Sequence, residues 1–580
     1  MSYLSPVFRN AKCETQNAEL ETHVAEQWLK QAEPLLLVLI LILATGFRFY
    51  DLPRLPPGLW FDEALDGLNA LSILHDDPVR IYFDNREFFG GGTQNAEEPM
   101  YHYLLAVAIA ILGPTALAIR ATSAVIGVVT VGAFYGMVRT IWGRGMALLA
   151  ATILAVFRWH FHFSRVGFRT ILVPLFACLF FALWWRGFEK RKRSNLILAG
   201  VFLGLGFYTY PAFQLLVPAW VCLVFWRMLR EPERRRDLLH GLAWPVATAF
   251  VILLPLLGYF VTHREVAAGR VGSLTVFKHA KQERAVDPEA PTGWQRLGEN
   301  LWLNARHFWW NGDPVPKHNV PMTLRRGERK GMAVFDPLTS AFFALGLFVT
   351  VAGAWRDPRN VLVLSWAAWL ACASIFSFGA PNLLRTLGMV PAVVLILANG
   401  YMLLARLIDR YISRSAAVLA LLALLAWFGA NEGRRYFIDW RNHPLVPQDF
   451  NAPYCSLADT IVAYWGEDDV HIPGDYYHHP TLRYLLYGRD NVYEMKMPDS
   501  FARTSDTTRN RILVTTPMTF PQSAGWGRGQ STLEKLRLGG RPAWVSPDRF
   551  FVAFEIPAGQ LMTPERAAEA IRGFQINPAR

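Results

Sequence analysis

The sequence predicts a mainly α, polytopic membrane protein that ends in a small α/β domain. Three observations carry that prediction: long apolar runs recur through the first 430 residues, short arginine-rich clusters separate them, and after Asn431 the apolar runs shrink to strand length. Of the 580 residues 52% are hydrophobic and 18% charged, against about 25% charged in an ordinary soluble domain. The chain holds 39 Phe, 21 Trp and 19 Tyr, a supply that suits many membrane-water interfaces, where these rings collect. Disordered, collagenous and disulfide-scaffold classes are excluded by this composition. The formal charge of +12 does not point to nucleic acid, because the excess sits in short clusters between apolar runs, as membrane topology requires.

In chain order, residues 1–33 form a polar segment with five acids and three bases. The apolar run that starts at Pro34 is followed by no small-residue cleavage site and reads as a retained anchor. A bilayer core takes roughly 20 mostly apolar helical residues. Runs of that kind lie at 34–50, 118–138, 145–161, 169–186, 195–210, 212–228, 242–260, 337–354, 360–377, 385–405 and 415–430, about eleven expected crossings. The stretch 99–113 is opened by Pro99 and closed by Gly113-Pro114. Short basic loops stay cytoplasmic, and the strongest are Arg186 to Arg193, Arg227 to Arg236, Arg356 to Arg359 and Arg406 to Arg414. All four share a side only if 99–113 does not cross, so it is expected to lie as an interfacial helix.

This parity puts the N-terminus in the cytoplasm and the C-terminus outside, across a plasma (inner) membrane. The expected external pieces are 51–117, a turn near 162–168, the turn at Tyr210-Pro211, 261–336, the turn around 378–385 and everything after 431. Three parts are therefore expected: a cytoplasmic segment 1–33, a transmembrane catalytic part 34–430, and an external or periplasmic α/β domain 431–580. Strands are expected at Arg511 to Thr515 and Phe550 to Ile556, between Gly, Pro and Asp turns. Cys178, Cys222 and Cys372 lie in apolar stretches while Cys13 and Cys455 stand alone, so neither a disulfide framework nor a CxxC metal site is expected.

Four constellations could carry chemistry, and each has a plainer reading. Asp62 and Glu63, in Trp60-Phe61-Asp62-Glu63, are carboxylates close to hydrocarbon, a costly placement usually retained for a task. They would equally favour a helix N-terminus. Glu97-Glu98-Pro99, followed by Tyr101 and His102, opens the interfacial helix, where Pro and acids also serve as ordinary first-turn residues. Arg165 and Arg169, in HFSRVGFR, and Arg385, in NLLR, place guanidinium groups at span ends. Guanidinium fits phosphate, and its alternative there is snorkelling to headgroups. Asn311-Gly312-Asp313-Pro314 with Lys317-His318-Asn319 is either a substrate-contacting segment or turn chemistry. Gly90-Gly91-Gly92 lacks the Lys-Ser/Thr of a phosphate loop and reads as a hinge, and His160, His162, His478 and His479 lack metal-motif spacing.

Together these motifs resemble the GT-C integral-membrane glycosyltransferases, specifically glycosyltransferase family 39, which includes protein O-mannosyltransferases and lipid A aminoarabinose transferases. The matching pieces are WFDEALDG, EEPMYHYLL, HFSRVGFRT, KHNVP and NLLRTLGMVPAVVLILANG, in order over about 35–410. The pattern departs at Glu97-Glu98-Pro99, where relatives often show His-Pro-Pro or a single acid. The resemblance implies a GT-C fold and a donor sugar carried on polyprenyl phosphate. It implies transfer on the external face to a lipid, protein or polysaccharide acceptor, with Asp62 as candidate base and Glu63 and Glu98 beside it.

The expected mechanism is an inverting single displacement. Asp62 takes the acceptor proton, and Arg165, with Arg169 or Arg385, holds the departing phosphate. His102, Tyr210, His318 and Asn319 are expected to line the substrate site. No cofactor is firmly implied, although Asp62, Glu63 and Glu98 could hold a divalent cation. The competing expectation is a transporter or flippase of lipid-linked sugars. Against it, few charges fall mid-span and no broken helices recur in paired halves.

Overall fold

A computed structural model of the chain describes residues 30–76, 79–85, 96–264, 266, 275–323, 329–495, 509–515, 541–545 and 551–556. The triglycine at 90–92 and Cys13 lie outside the described residues. Helices come first: α1 (Lys30–Phe49), α2 (Phe61–His75), then the two-residue strands β1 (Phe83–Asp84) and β2 (Ala96–Glu97), and α3 (Met100–Leu112). Next follow α4 (Ala116–Ile141), α5 (Arg144–Val156), α6 (Arg158–Phe163), α7 (Leu172–Glu189), α8 (Arg193–Gly206), α9 (Leu216–Arg230) and α10 (Arg235–Thr262). The long loop carries α11 (Val276–Val286), α12 (Gly293–Arg306) and a three-stranded sheet of β3 (Asn311–Gly312), β4 (Pro321–Thr323) and β5 (Arg329–Met332), ordered β3-β5-β4. Apolar helices resume with α13 (Pro337–Gly353), α14 (Pro358–Ile375), α15 (Val390–Tyr411) and α16 (Arg414–Arg434).

Helix occupies every apolar run picked out above, and seven helices among the described residues are long and apolar enough to cross a membrane. Such an architecture is forced by hydrocarbon, where each backbone N–H and C=O has to find its partner within the protein. Tight packing of α13 on α15 shows how the sequence permits it. A Cβ at Gly346 would run into the Ile396 carbonyl, and one at Gly400 into the Phe342 carbonyl. Two glycines facing backbone let these helices approach closely, as small residues do in membrane bundles. The stretch 99–113 is the 13-residue helix α3, about 20 Å long at 1.5 Å per residue and shorter than a hydrocarbon core of about 30 Å.

One expected span departs from a single helix. The run 145–161 is broken at Phe157, which adopts φ −73° and ψ 115° between α5 and α6. Side chains replace the lost helical bonds. Glu432 accepts from the Arg158 N–H at 2.8 Å, and Arg48 donates to the Ala155 carbonyl at 2.8 Å. Interruptions of this kind survive where inserted groups satisfy the freed backbone.

The chain divides into two compact units, and the division differs from the expected one. One comprises 1–50, 123–165 and 169–440; the other comprises 51–122, 166–168 and 441–580. The expected boundary at 431 moves because α16 runs to Arg434 and a π-helical turn continues to Trp440. More importantly, the first loop forms one unit with the C-terminal part.

That C-terminal part contains α17 (Leu445–Asp449), α18 (Ala452–Tyr464), β6 (Asp469–Pro473), α19 (Gly474–Tyr477), α20 (Pro480–Leu485), β7 (Val492–Met495), β8 (Arg511–Thr515), β9 (Arg541–Val545) and β10 (Val552–Ile556). Its five strands are ordered β7-β6-β8-β10-β9, with β6 parallel to β7 and β8 and β10 antiparallel to β8 and β9. Alternate residues Val470, Ile472, Ile512 and Val514 are buried with Leu457, Ile461 and Phe551. Strands β8 and β10 lie within the two runs expected to form strands. Within this unit α20 grips the first loop. Thr481 donates to the Leu59 carbonyl at 3.1 Å, and the Tyr484 hydroxyl donates to the Thr115 carbonyl at 3.1 Å.

Candidate active site

The first-loop carboxylates divide by what they touch. Helix α2 starts after Trp60, and Asp62 and Glu63 occupy its first turn, where acids meet the positive end of the helix dipole. Glu63 is fully buried. It accepts from the Trp60 amide at 3.0 Å and the Gly167 amide at 2.8 Å, and faces Arg120 Nε at 3.5 Å. Arg120 is itself pinned by the carbonyls of Pro56, at 2.9 Å, and Gly58. Both oxygens of Glu63, expected as a catalytic residue, thus hold backbone amides, and one also faces a guanidinium. Asp62, one residue earlier, is only half-buried.

A second group forms one turn further along α2. Asp66 Oδ1 lies 2.9 Å from His102 Nε2, which lies 3.5 Å from Glu97 Oε2. Asn69 donates to the same Glu97 oxygen at 3.3 Å. Asp66 and His102 have no measurable exposure and Glu97 has 7%. Burial disfavours the imidazolium, yet the hydrogen bonds and charges of Asp66 and Glu97 outweigh it and raise the His102 pKa above the ordinary histidine value. The Phe83 ring packs edge-on against His102 with centroids 4.5 Å apart. These three ligand-type side chains, rather than the expected Asp62, Glu63 and Glu98, are the group able to hold a divalent cation among the described residues. Glu98 accepts instead from the Tyr82 hydroxyl at 3.0 Å.

In the other unit the expected phosphate ligands have separate fates. Arg165 is fully buried and donates to the carbonyls of Phe47 at 3.1 Å, Arg48 at 3.1 Å and Tyr50 at 2.7 Å. Those carbonyls end α1, so this guanidinium caps a helix C-terminus. Arg169 sits over the Tyr210 ring at 5.9 Å, bringing two expected site residues together. Arg385 donates to Ser377 Oγ and the Phe378 carbonyl, each at 2.6 Å, and is half-buried.

His318 and Asn319 join a strap across this unit. Asp313 Oδ2 lies 2.9 Å from His318 Nδ1 and accepts from the Leu383 amide at 2.8 Å, while Asp313 Oδ1 accepts from the Val315 amide at 2.9 Å. Asn319 donates to the carbonyls of Asp313 and Met332 and accepts from Arg158 at 2.7 Å. The turn reading of this segment is the one its bonds support, and it ties the expected loop to the 381–385 turn. Sequence reasoning missed Arg120 and Asp66. Asp66 carried a usable signal, since it follows Asp62 by four residues and shares its helix face; Arg120 sits inside an apolar run and carried none.

Residues 96–259 match the sequence profile of the family described as "Dolichyl-phosphate-mannose-protein mannosyltransferase", which is less than half of the chain. No curated protein matches the sequence. Among solved structures, the fold is similar to ArnT from Cupriavidus metallidurans in the apo state, at 12% identity and a TM-score of 0.53, covering 92% of this chain and 98% of that one. The same enzyme bound to undecaprenyl phosphate gives 13% identity and a TM-score of 0.50, over 89% and 97%. The Archaeoglobus fulgidus oligosaccharyltransferase in its apo form gives 14% identity and a TM-score of 0.48, over 81% of this chain and 62% of that one. The chain thus has the GT-C fold, and the profile match together with that fold supports a multi-pass membrane glycosyltransferase.

Proposed function

We propose that this GT-C glycosyltransferase moves a sugar from a polyprenyl-phosphate donor to an acceptor hydroxyl, with Asp62 as the base. The observation that carries the assignment is the placement of Asp62, half-buried in the first turn of α2. Its neighbour Glu63 accepts from two amides and faces Arg120. The donor class is supported by the profile match over 96–259 and by the undecaprenyl phosphate bound to ArnT, whose fold this chain shares. The donor chemistry also suits the chain's apolar surface. A prenyl tail needs a greasy path, and α3 exposes Leu104, Val107 and Ile111.

In this reading the acceptor O–H proton passes to the Asp62 carboxylate while its oxygen bonds to the anomeric carbon. The bond from that carbon to the phosphate oxygen breaks, and phosphate leaves with the electron pair. Back-side attack inverts the anomeric centre. Arg169, held over Tyr210, takes up the charge that grows on phosphate, the kind of preorganised stabilisation that lowers such barriers. Arg385 is the second cation assigned to the donor. The reaction faces the exterior of a plasma membrane, with the N-terminus inside.

The test is transfer from a radiolabelled polyprenyl-phosphate sugar in membranes carrying Asp62→Asn. Loss of about 10²–10⁴-fold is expected from removal of a general base, and a wild-type rate would overturn the assignment. Sidedness has its own measurement. Val79 is 78% exposed in the first loop, so Val79→Cys should react with an impermeant thiol reagent added from outside. Labelling from the cytoplasmic side alone would reverse the topology.

A further inference from the structure

The geometry points to a divalent transition-metal site formed by Asp66, Glu97 and His102, in which the ion fastens α2 to β2 and α3. Each residue offers one ligand atom, and the three atoms lie within 4.8 Å of one another. With metal-ligand distances of about 2.0–2.2 Å, ligands sit about 3 Å apart at right angles and about 3.4 Å apart at the tetrahedral angle. The measured separations at His102 Nε2, 2.9 Å to Asp66 and 3.5 Å to Glu97, are edges of that size. The third separation, between the Asp66 and Glu97 oxygens, is within 4.8 Å, so the two carboxylates would draw together on binding an ion.

Charge supports the same conclusion. Two buried carboxylates and one imidazolium sum to −1, while two carboxylates, a neutral imidazole and a divalent cation sum to zero. Buried charge is tolerated when it is compensated. The donor set selects the metal class: one imidazole nitrogen with two carboxylate oxygens suits Zn²⁺ or Mn²⁺, whereas Ca²⁺ and Mg²⁺ favour all-oxygen cages. Asn69, donating to the Glu97 oxygen at 3.3 Å, and Phe83, packed against the His102 ring, hold the ligands in orientation, as the surroundings of metal sites commonly do. Three protein ligands also leave coordination positions for water or a phosphate oxygen. Because Asp66 lies one turn beyond Asp62 on the same helix, the ion would fix the element that carries the proposed base.

The measurement is metal content of the full chain in detergent, loaded with Zn²⁺ or Mn²⁺, passed through gel filtration and analysed by mass spectrometry. About one ion per chain is expected in the wild type and in Glu98→Gln, the neighbouring carboxylate that bonds Tyr82 instead. Glu97→Gln and Asp66→Asn should weaken binding by tenfold or more while eluting as the same monodisperse species. A metal-dependent rise in Tm should be present in Glu98→Gln and absent in His102→Ala. No retained metal in the wild type, or equal retention in Glu97→Gln, would overturn the site. A chain that holds the ion without transferring sugar would leave the site standing and count against the transferase reading alone.

Discussion

Two aspartate–histidine pairs, each at 2.9 Å, occur in different units and do different things. Asp313 meets His318 and also accepts from the backbone amides of Val315 and Leu383. Asp66 meets His102 in the company of a second carboxylate, Glu97. In the first pair one negative charge is spread over amide donors and an imidazole, which makes a strap. In the second, two negative charges converge on one ring nitrogen, which makes a place for a cation. Residue types and distances are alike, and the partners decide. Glu63 belongs with Asp313, since it too is occupied by two backbone amides.

The comparison breaks most easily at Glu63. Glu63→Ala would leave Arg120 buried without its carboxylate and two amides without their acceptor, and breaking a buried pair in this way costs about 3–5 kcal/mol. Thermal unfolding in detergent should show a large fall in Tm, with Glu63→Gln milder because its single amide oxygen can still accept from one of the two amides, which bond different carboxylate oxygens in the wild type. Equal Tm for Glu63→Ala and wild type would mean that Glu63 is not the keystone and would return it to the candidates for catalysis.

A histidine that bonds a backbone carbonyl rather than a carboxylate sharpens the contrast at the next level. His307 is as buried as His102, and burial pulls its pKa down to about 4, against a partial upward pull from the Asn304 carbonyl and Asp313. A base whose folded pKa is depressed stabilises the fold fully above its unfolded value of about 6.5. That contribution is lost as pH falls from about 6.5 towards 4, because the unfolded chain binds the proton first. The total is about 3 kcal/mol at most. His307→Gln should flatten the Tm profile over this window, and an unchanged acid slope would remove His307 as its source.

How much of this was legible in the sequence follows the same division. The helices were legible because hydrocarbon demands long apolar runs, and every run from 34–50 to 415–430 is occupied by helix. Strands Arg511–Thr515 and Val552–Ile556 were legible because their lengths and flanking turns are those of strands. The break at Phe157 was not, since it depends on Glu432, 274 residues away in sequence from the Arg158 amide it accepts from. Among site residues, the motif WFDE showed two adjacent acids but not that Gly167 and Arg120, on other elements, hold Glu63. The surroundings of Arg165 were hidden for the same reason: a buried guanidinium answers to any cluster of oxygens, and the carbonyls ending α1 supply three.

The smallest effect is expected where neutral side chains perform the same backbone grip. Tyr484 and Thr481 of α20 hold the carbonyls of Thr115 and Leu59 without any charge, and the Tyr484 ring lies against Gly67 of α2, where an added Cβ would collide with it. Tyr484→Phe removes one neutral hydrogen bond, worth about 0.5–1.5 kcal/mol. Gly67→Ala overpacks the same contact at about 1–3 kcal/mol. If the C-terminal domain braces the helix that bears Asp62, the double variant Gly67→Ala with Tyr484→Ala should recover part of the Gly67→Ala loss, because truncating the ring opens the space the new methyl needs. Strict additivity in Tm would mean that the ring and the glycine do not press on each other, and the brace would have to rest on Thr481 and Asn451, which donate to the Leu59 carbonyl.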